Sequence, residues 1–191
     1  MNQRGLLVVI SAPSGGGKTT ILRRVLQSGN GNFRYSVSTT TRARRRGEIE
    51  GRDYHFVSTN EFQRRRDNGE FIEWAEVHGH YYATPREPIE RWLDEGRLIL
   101  TDLDVVGGLT IKEQYGDSAL LIFVKPPSFQ SLIQRLKSRN TETPAEIEKR
   151  LERYPDEIEK SKFYDYQCVN DDLKQTIQSL LKIINQHYCV Y

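Results

Sequence analysis

Three short runs of consecutive apolar residues divide the chain. They are Leu6–Ile10, Leu98–Leu100 and Leu120–Val124, and all are rich in branched side chains. Continuous apolar runs of this length are typical of strands buried on both faces, as in a parallel sheet that is covered by helices. The pattern therefore predicts a three-layer core built on a parallel sheet.

Helical patterns lie next to these runs. Thr19–Gln27 follows the first run, and Glu87–Asp94 precedes the second and is followed by Gly96, a frequent helix stop signal. Ser128–Lys137 follows the third run, and Asp171–Asn185 carries leucine and isoleucine at helical spacing. Because strands and helices alternate, the fold class is predicted to be α/β.

Residues 35–84 depart from this alternation. Apolar and polar residues alternate in Tyr35–Ser38, Tyr54–Val57 and Phe71–Val77, and one short helical pattern lies near Asn60–Asn68. Alternation with a period of two is typical of strands with one solvated face. This segment is predicted to be a small mixed α+β insertion.

Residues 137–162 form a second departure, since they are highly charged and mostly helical in pattern. A solvated helical lid is the natural interpretation, with Pro155 expected to kink or break it. The predicted division is a core of residues 1–34, 85–136 and 158–191, an insertion of residues 35–84 and a lid of residues 137–157.

Composition narrows the function classes. A chain of 191 residues is expected to form one domain, and its 28 Lys and Arg nearly balance 26 Asp and Glu, which argues against nucleic-acid binding. Cys168 and Cys189 are too few for a disulfide framework and fit a reducing cytosol. The apolar run near the N-terminus is too short for a secretion signal or a membrane span. A cytoplasmic location without a membrane partner is expected.

A glycine-rich loop, Ser-Ala-Pro-Ser-Gly-Gly-Gly-Lys-Thr-Thr over Ser11–Thr20, connects the first predicted strand to the first predicted helix. That context is the one a P-loop requires. Glycines let backbone N–H groups wrap a polyphosphate, and the helix N-terminus adds positive potential. Lys18 is predicted to contact the outer phosphates and Thr19 to bind Mg²⁺. The predicted nucleotide-binding residues here are Ala12, Pro13, Ser14, Gly15, Gly16, Gly17, Lys18, Thr19 and Thr20.

The loop by itself leaves the reaction open between a kinase, a switch GTPase and a motor. Ala12 replaces the first glycine of the strict pattern, which a residue with negative φ tolerates. A chance glycine-rich turn is the alternative, and the flanking strand and helix argue against it. The sequence lacks the Asn-Lys-x-Asp motif of switch GTPases, and its length disfavours motors.

The insertion carries the candidate acceptor site. Arg42 and Arg44–Arg46 place several guanidinium groups together, which suits a phosphate, although a solvated basic loop or a nucleic-acid patch has the same composition. Tyr54 and Tyr82 could complete a monophosphate pocket. A buried Glu73 carboxylate could accept hydrogen bonds from both N1–H and the amino group of guanine, which adenine cannot offer.

Several motifs in register resemble those of the guanylate kinase family. They include Ser-x-Thr-Thr-Arg-x-x-Arg-x-Gly-Glu from Ser38, Gly-x-Asp-Tyr-x-Phe from Gly51, Glu-Phe-Ile-Glu-Trp-Ala from Glu70, and Val-Asn-Asp-Asp-Leu from Val169. The resemblance covers about residues 4–185.

The resemblance implies a role for each matching position. It implies that the GMP phosphate is bound by Ser38, Arg42, Arg45, Tyr54 and Tyr82. It implies that the guanine base is bound by Glu73, Thr84 and Asp104. It places Asp102 beside Mg²⁺ and Asn170 beside the adenine of ATP. Its phosphate-facing lid arginines are Arg135, Arg139 and Arg150, and the implied catalytic set is Lys18, Arg42, Arg135, Arg139 and Arg150.

The resemblance implies transfer of the γ-phosphoryl group of ATP to GMP or dGMP, with Mg²⁺ as cofactor, in purine nucleotide metabolism. No general base is required, because the GMP phosphate is largely dianionic near neutral pH. Substrates are GMP and ATP, and the oligomeric state stays open.

Departures from the family pattern are Ala12, Ala83, Val106, Asn140 and Pro155, none of which removes a charged residue that the chemistry needs.

Two rival functions are a kinase for a ribose phosphate and a scaffold domain without activity. Glu73 and the tyrosines argue for a nucleotide acceptor, and the intact Lys18 and Thr19 argue against a scaffold. His78 and His80 could share one face of a strand, but no third ligand at suitable spacing supports zinc.

Overall fold

A computed structural model of the chain describes residues 4–13, 15–28, 33–77, 79–138 and 143–188. Its larger sheet has five parallel strands. Their order across the sheet is β2 (Phe33–Tyr35), β7 (Leu98–Asp102), β1 (Leu6–Ser11), β8 (Ala119–Lys125) and β9 (Tyr166–Val169). The three apolar runs supply its three central strands, so the prediction of a parallel sheet is confirmed.

Helices cover both faces of this sheet. One face packs on α1 (Lys18–Ser28) and α8 (Leu173–His187), and the other on α3 (Arg86–Asp94) and α4 (Val105–Tyr115). Alternate residues of β1 divide between the two layers: Val8 lies in the first cluster and Val9 in the second, and both are fully buried. A strand with apolar residues on both faces needs this three-layer arrangement.

A second, four-stranded sheet is mixed. Its order is β4 (His55–Phe56), β3 (Thr39–Thr40), β6 (His80–Pro85) and β5 (Phe71–Val77), with α2 (Thr59–Asp67) between β4 and β5 in the chain. Phe62, Phe71 and Ala83 form a small core of their own. The prediction that Tyr35–Ser38 belongs to this sheet is wrong. Tyr35 ends β2 and pairs with Leu100 of the parallel sheet.

Three helices connect β8 to β9: α5 (Phe129–Ser138), α6 (Pro144–Leu151) and α7 (Tyr154–Lys160). Pro155 lies in the first turn of α7, so the chain breaks between α6 and α7 as predicted. A proline is well tolerated at this place because the first turn has no intrahelical acceptor for its missing N–H. Within the described ranges, no helix is both long and apolar enough to cross a membrane.

Candidate active site

The glycine-rich loop has the backbone geometry that its sequence predicts. Gly15 and Gly17 have φ values of 89° and 92°, in the left-handed region that favours glycine. The N–H of Gly16 donates to the carbonyl of Pro13 across 2.7 Å. Nδ2 of Asn170 donates to the carbonyl of Gly16 across 3.1 Å and would lie only 2.9 Å from a Cβ on Gly17. The loop is therefore held by the residue that follows β9, the edge strand of the parallel sheet. Ser14 lies outside the described residues.

Lys18 opens α1 directly beside the end of β7. Its Nζ donates to the carbonyl of Leu103 across 3.3 Å and lies 3.5 Å from Oδ2 of Asp102. The hydroxyl of Tyr35 donates to Oδ1 of the same carboxylate across 2.8 Å. Burial and the Asp102 charge raise the pKa of Tyr35, which therefore stays a donor. Thr19 follows Lys18 with an exposed side chain.

Three of the predicted phosphate ligands lie together in the mixed sheet. Nε of Arg42 donates to the hydroxyl of Tyr82 across 3.2 Å, and its guanidinium carbon lies 5.4 Å from the ring centre of Tyr54. The rings of Tyr54 and Tyr82 pack edge to face at 5.9 Å. Burial, followed by the Asp102 charge, raises the pKa of Tyr54 to about 12. This cluster therefore lies within electrostatic reach of the Lys18–Asp102 pair.

Glu48 is a member of this cluster that sequence reasoning did not single out. Its two carboxylate oxygens accept from Nη1 and Nη2 of Arg42 across 3.1 and 2.7 Å, and one also accepts from the backbone N–H of Arg45 across 2.7 Å. The bond from Arg42 lowers the pKa of Glu48. The sequence did contain a signal for Glu48, because this residue is the last one of the motif Ser-x-Thr-Thr-Arg-x-x-Arg-x-Gly-Glu that begins at Ser38.

Arg45 and Ser38 are less closely tied to the cluster. The Arg45 side chain is exposed, and the hydrogen bond from Arg45 to Glu48 is made by its backbone N–H. Ser38 is half-buried in front of β3, and its carbonyl accepts from the N–H of His55 across 2.9 Å. Contacts of either side chain with a phosphate stay predictions.

The three predicted base-reading residues meet at the start of α4. Thr84 donates its hydroxyl proton to Oε1 of Glu73 across 2.6 Å, and Oδ1 of Asp104 accepts from the N–H of Gly107 across 2.8 Å. A Cβ on Gly107 would lie 3.0 Å from Oε2 of Glu73 and 3.4 Å from Oδ1 of Asp104. Burial raises the pKa of Glu73 to about 7, and the nearby Asp104 charge adds to the shift.

The predicted lid arginines lie on two helices. Nη2 of Arg135, in α5, donates to the carbonyl of Asn170 across 2.8 Å. Arg150 lies in the last turn of α6, and Arg139 lies outside the described residues. Asn170 is itself buried and bonded to the glycine-rich loop, so its side chain supports the loop. A contact with adenine stays a prediction.

Glu157, in α7, is a second residue that sequence reasoning did not single out. It is half-buried, with Oε2 out of contact with solvent, and burial raises its pKa to about 7, with smaller effects of Arg153, Asp104 and Lys18. Its position in a charged, mostly helical segment gave no signal, since about half of the residues in that segment are charged.

A glycine-rich loop follows the first strand of the parallel sheet, and a small second sheet lies beside the carboxyl ends of those strands. This arrangement is that of a P-loop kinase. A model of the family described as guanylate kinase matches residues 4–187. Guanylate kinases of Symbiobacterium thermophilum and Mesorhizobium japonicum are 46% and 47% identical, over 95% and 96% of this chain and 85% and 84% of theirs. The chain belongs to the guanylate kinase family.

Solved structures agree with this assignment. The crystal structure of guanylate kinase from Anaplasma phagocytophilum matches with a TM-score of 0.80 at 34% identity, covering 98% of this chain and 88% of that one. A gluconokinase from Sinorhizobium meliloti shares the fold alone, with a TM-score of 0.54 at 14% identity over 98% of this chain and 95% of that one. The activity that follows from the family is transfer of a phosphoryl group from ATP to GMP.

Proposed function

We propose that the transfer takes place between the Lys18–Asp102 pair and the Arg42–Tyr54–Tyr82 cluster. The observation that carries this proposal is the position of Asp102, which is paired with Lys18 at 3.5 Å and lies close enough to Tyr54 for its charge to raise the pKa of the Tyr54 hydroxyl. Two substrates that are both anionic can react only where cations offset their repulsion. Lys18 would serve the ATP phosphates and Arg42 the GMP phosphate.

Magnesium is the proposed cofactor, carried by the triphosphate. Mg²⁺ usually keeps several waters and is held by one or two protein oxygens together with substrate phosphates. Thr19 and Asp102 fit this requirement, because they provide a hydroxyl and a carboxylate on neighbouring elements. Among the described residues, no three His, Cys, Asp or Glu side chains form a group that could hold a metal by themselves. When bound, Mg²⁺ supplies positive charge to the phosphates.

Guanine selection is proposed to rest on Glu73, with Thr84 and Asp104 beside it. The Thr84 bond occupies only part of the acceptor capacity of Oε1, and a carboxylate accepts about four hydrogen bonds in all. Glu73 can therefore accept from two adjacent guanine donors once it is ionised. A ribose phosphate offers vicinal hydroxyl donors instead of this pair of N–H donors, and membership of the guanylate kinase family favours the nucleotide acceptor.

The remaining residues are proposed to neutralise and enclose the phosphates. Arg135, Arg139 and Arg150 would contact the phosphates of ATP when the segment of residues 137–157 closes over the core of residues 1–34, 85–136 and 158–191. Residues 35–84 would close over GMP. Exclusion of water favours transfer over hydrolysis of ATP. We expect the reaction to take place in the cytoplasm, on small-molecule substrates alone.

A coupled assay with ATP and Mg²⁺ tests the proposal. GMP, dGMP, AMP, CMP, UMP and ribose 5-phosphate are offered as acceptors, and ADP release is followed. We expect turnover with GMP and dGMP and little with the others. Equal turnover with AMP would contradict the role of Glu73, and turnover with ribose 5-phosphate alone would favour the sugar-phosphate kinase.

A further inference from the structure

The phenol of Tyr164 lies in the core, behind the nucleotide site. Tyr164 follows a short 3₁₀ turn, Ser161–Phe163, between α7 and β9, and its side chain is buried. The ring packs edge to face against Phe123 of β8, with the ring centres 5.6 Å apart. A buried phenol hydroxyl needs hydrogen-bond partners. The partners of this one lie at the end of β1 and at the start of α4.

The hydroxyl of Tyr164 joins these two elements. Its oxygen lies 2.8 Å from Oγ of Ser11, the last residue of β1 before the glycine-rich loop. It donates to the carbonyl of Val105 across 3.2 Å and lies 3.4 Å from the carbonyl oxygen of Asp104. A hydroxyl that donates to a carbonyl can still accept from Ser11. Burial raises the pKa of Tyr164, so the hydroxyl keeps the proton that it donates.

Gly108, one turn along α4, leaves the space that this hydroxyl occupies. A Cβ at Gly108 would overlap the Tyr164 hydroxyl oxygen and would lie 2.8 Å from the ring carbon that carries it. Gly108 lies within the helix and has no positive φ, so its backbone does not require glycine. A glycine in a helix costs stability relative to alanine. The close approach of Tyr164 accounts for a glycine at this position.

These contacts fix Asp104, the residue that caps α4. Its carbonyl accepts from the N–H of Gly108 across 3.1 Å and from Oγ of Ser11 across 3.2 Å, beside the Tyr164 hydroxyl. Its Oδ1 accepts from the N–H of Gly107 across 2.8 Å. Because the carbonyl and the side chain are both held, the orientation of this carboxylate is set by contacts within the core.

We propose that Tyr164 is a positioning residue for the acceptor base, whose hydroxyl holds the start of α4, together with Ser11, so that Asp104 faces guanine. This inference rests on the proposed role of Asp104 in reading the base. Only 6% of the Tyr164 surface is exposed, so Tyr164 acts through the residues that it holds and does not contact a substrate. Loss of its hydroxyl should therefore weaken GMP binding and leave the ATP side unaffected.

The first test removes the hydroxyl and keeps the ring. Tyr164→Phe should raise the KM for GMP about fivefold, the change expected for the loss of one neutral hydrogen bond. The KM for ATP and kcat should stay within about twofold of wild type. Tyr188→Phe is the matched control, because the Tyr188 hydroxyl also donates to a backbone carbonyl. Its acceptor, Gly96, precedes β7 at the opposite edge of the sheet from the glycine-rich loop, so both KM values should be unchanged.

Thermal unfolding separates positioning from a general loss of stability. Each Tyr→Phe variant loses a hydrogen bond to a backbone carbonyl, so both should have a lower Tm, and only Tyr164→Phe should have a higher KM for GMP. A KM for GMP within twofold of wild type in Tyr164→Phe, or an equal rise in the KM for ATP, would overturn the inference. A similar rise in the KM for GMP in Tyr188→Phe would also overturn it, since the effect would then follow stability alone.

Gly108→Ala tests the close approach itself. The new methyl group must displace the Tyr164 hydroxyl, so the KM for GMP should rise although alanine favours a helix. Adding Tyr164→Phe removes the overlapping oxygen and leaves the ring carbon, so the double variant should recover part of the Tm that Gly108→Ala loses. A wild-type KM for GMP in Gly108→Ala, or no recovery of Tm in the double variant, would refute this arrangement.

A double-mutant cycle tests whether Tyr164 acts through Asp104. The affinity for GMP is measured by calorimetry in wild type, Tyr164→Phe, Asp104→Asn and the double variant. Asparagine keeps an oxygen that can cap the N–H of Gly107 and removes the charge. Tyr164→Phe should weaken GMP binding in wild type and not in Asp104→Asn. Equal weakening in both backgrounds would overturn the inference and leave the proposed function intact. Unchanged GMP affinity in Asp104→Asn would instead contradict the proposed role of Asp104.

Discussion

Thr84 donates a hydrogen bond to Oε1 of Glu73 across 2.6 Å, between neighbouring strands of the mixed sheet. The other oxygen, Oε2, faces Gly107 at the start of α4, in the layer that covers the parallel sheet. This carboxylate thus lies between the mixed sheet and helix α4. A methyl group at position 107 would lie 3.0 Å from Oε2, so the Glu73 carboxylate would have to move by a few tenths of an ångström to accommodate it.

Glu73→Gln should lower the preference for GMP. The amide presents an NH₂ group to the donors of guanine, so one charged hydrogen bond is lost and a repulsive contact replaces it. Such a loss costs on the order of 2–4 kcal/mol, or tens- to hundreds-fold or more in kcat/KM for GMP. Steady-state kinetics with GMP and AMP check this. Glu76→Gln, on an exposed position of the same strand, is the control and should behave as wild type.

Binding of the base should depend on pH near neutrality. Because burial raises the pKa of Glu73 to about 7, the carboxyl is increasingly protonated below that value and can no longer accept from both guanine donors. Guanosine has no phosphate to titrate, so it isolates this effect. Its affinity should be about tenfold weaker at pH 6 than at pH 8. Calorimetry in both buffers checks this, and a flat profile for wild type would contradict it. The Glu73→Gln variant should show no such dependence.

Lys18→Ala should abolish phosphoryl transfer while the fold stays intact. The side chain is partly exposed at the start of α1 and belongs to no apolar cluster, so its loss creates no cavity. Circular dichroism and Tm should match wild type. Activity within a few-fold of wild type in a folded protein would refute the assignment of the loop.

Glu48→Gln should weaken GMP binding through Arg42. The amide has a single acceptor oxygen, so it cannot hold both guanidinium nitrogens and the Arg45 N–H as the carboxylate does. Arg42 would lose the orientation that presents it beside Tyr82. We expect the KM for GMP to rise about tenfold with a smaller effect on kcat. Glu50→Gln, exposed in the same loop, is the control, and an unchanged KM for GMP in Glu48→Gln would contradict this role.

The mixed sheet and the helices after β8 should close in separate steps. The α7 helix buries no residue fully, and the mixed sheet has a core of only three buried residues, so neither is held firmly by apolar packing. GMP alone should protect residues 35–84 from hydrogen exchange, through Arg42, Tyr54 and Tyr82. GMP and a non-hydrolysable ATP analogue together should also protect α6 and α7. Full protection of both segments without ligand would contradict this mechanism.

Local sequence was sufficient to predict the central strand, the glycine-rich loop and the helix break at Pro155. Leu6–Ile10 is apolar at every position, as is typical of a strand covered on both faces, and the glycine-rich loop contains two residues in the left-handed region that favours glycine. Pro155 likewise had to begin or break a helix, because it lacks an N–H. These properties depend on a residue and its immediate neighbours.

The assignment of Tyr35 depended on more than local pattern. A short alternating segment indicates a strand but not its partners, and Tyr35 pairs with Leu100 of the parallel sheet. Its hydroxyl then holds Asp102, a contact between residues far apart in the chain.

The sequence by itself determined the α/β class, the phosphate loop and the family resemblance, since each is written in residue types at fixed spacing. Only the tertiary structure decided which charges face one another. Asn170 bonds to Gly16, Glu48 holds Arg42, and Tyr35 holds Asp102. Charged side chains are common along the whole chain, and their pKa values and partners depend on burial and on distance through space. Neither quantity can be obtained from the order of residues before the chain has folded.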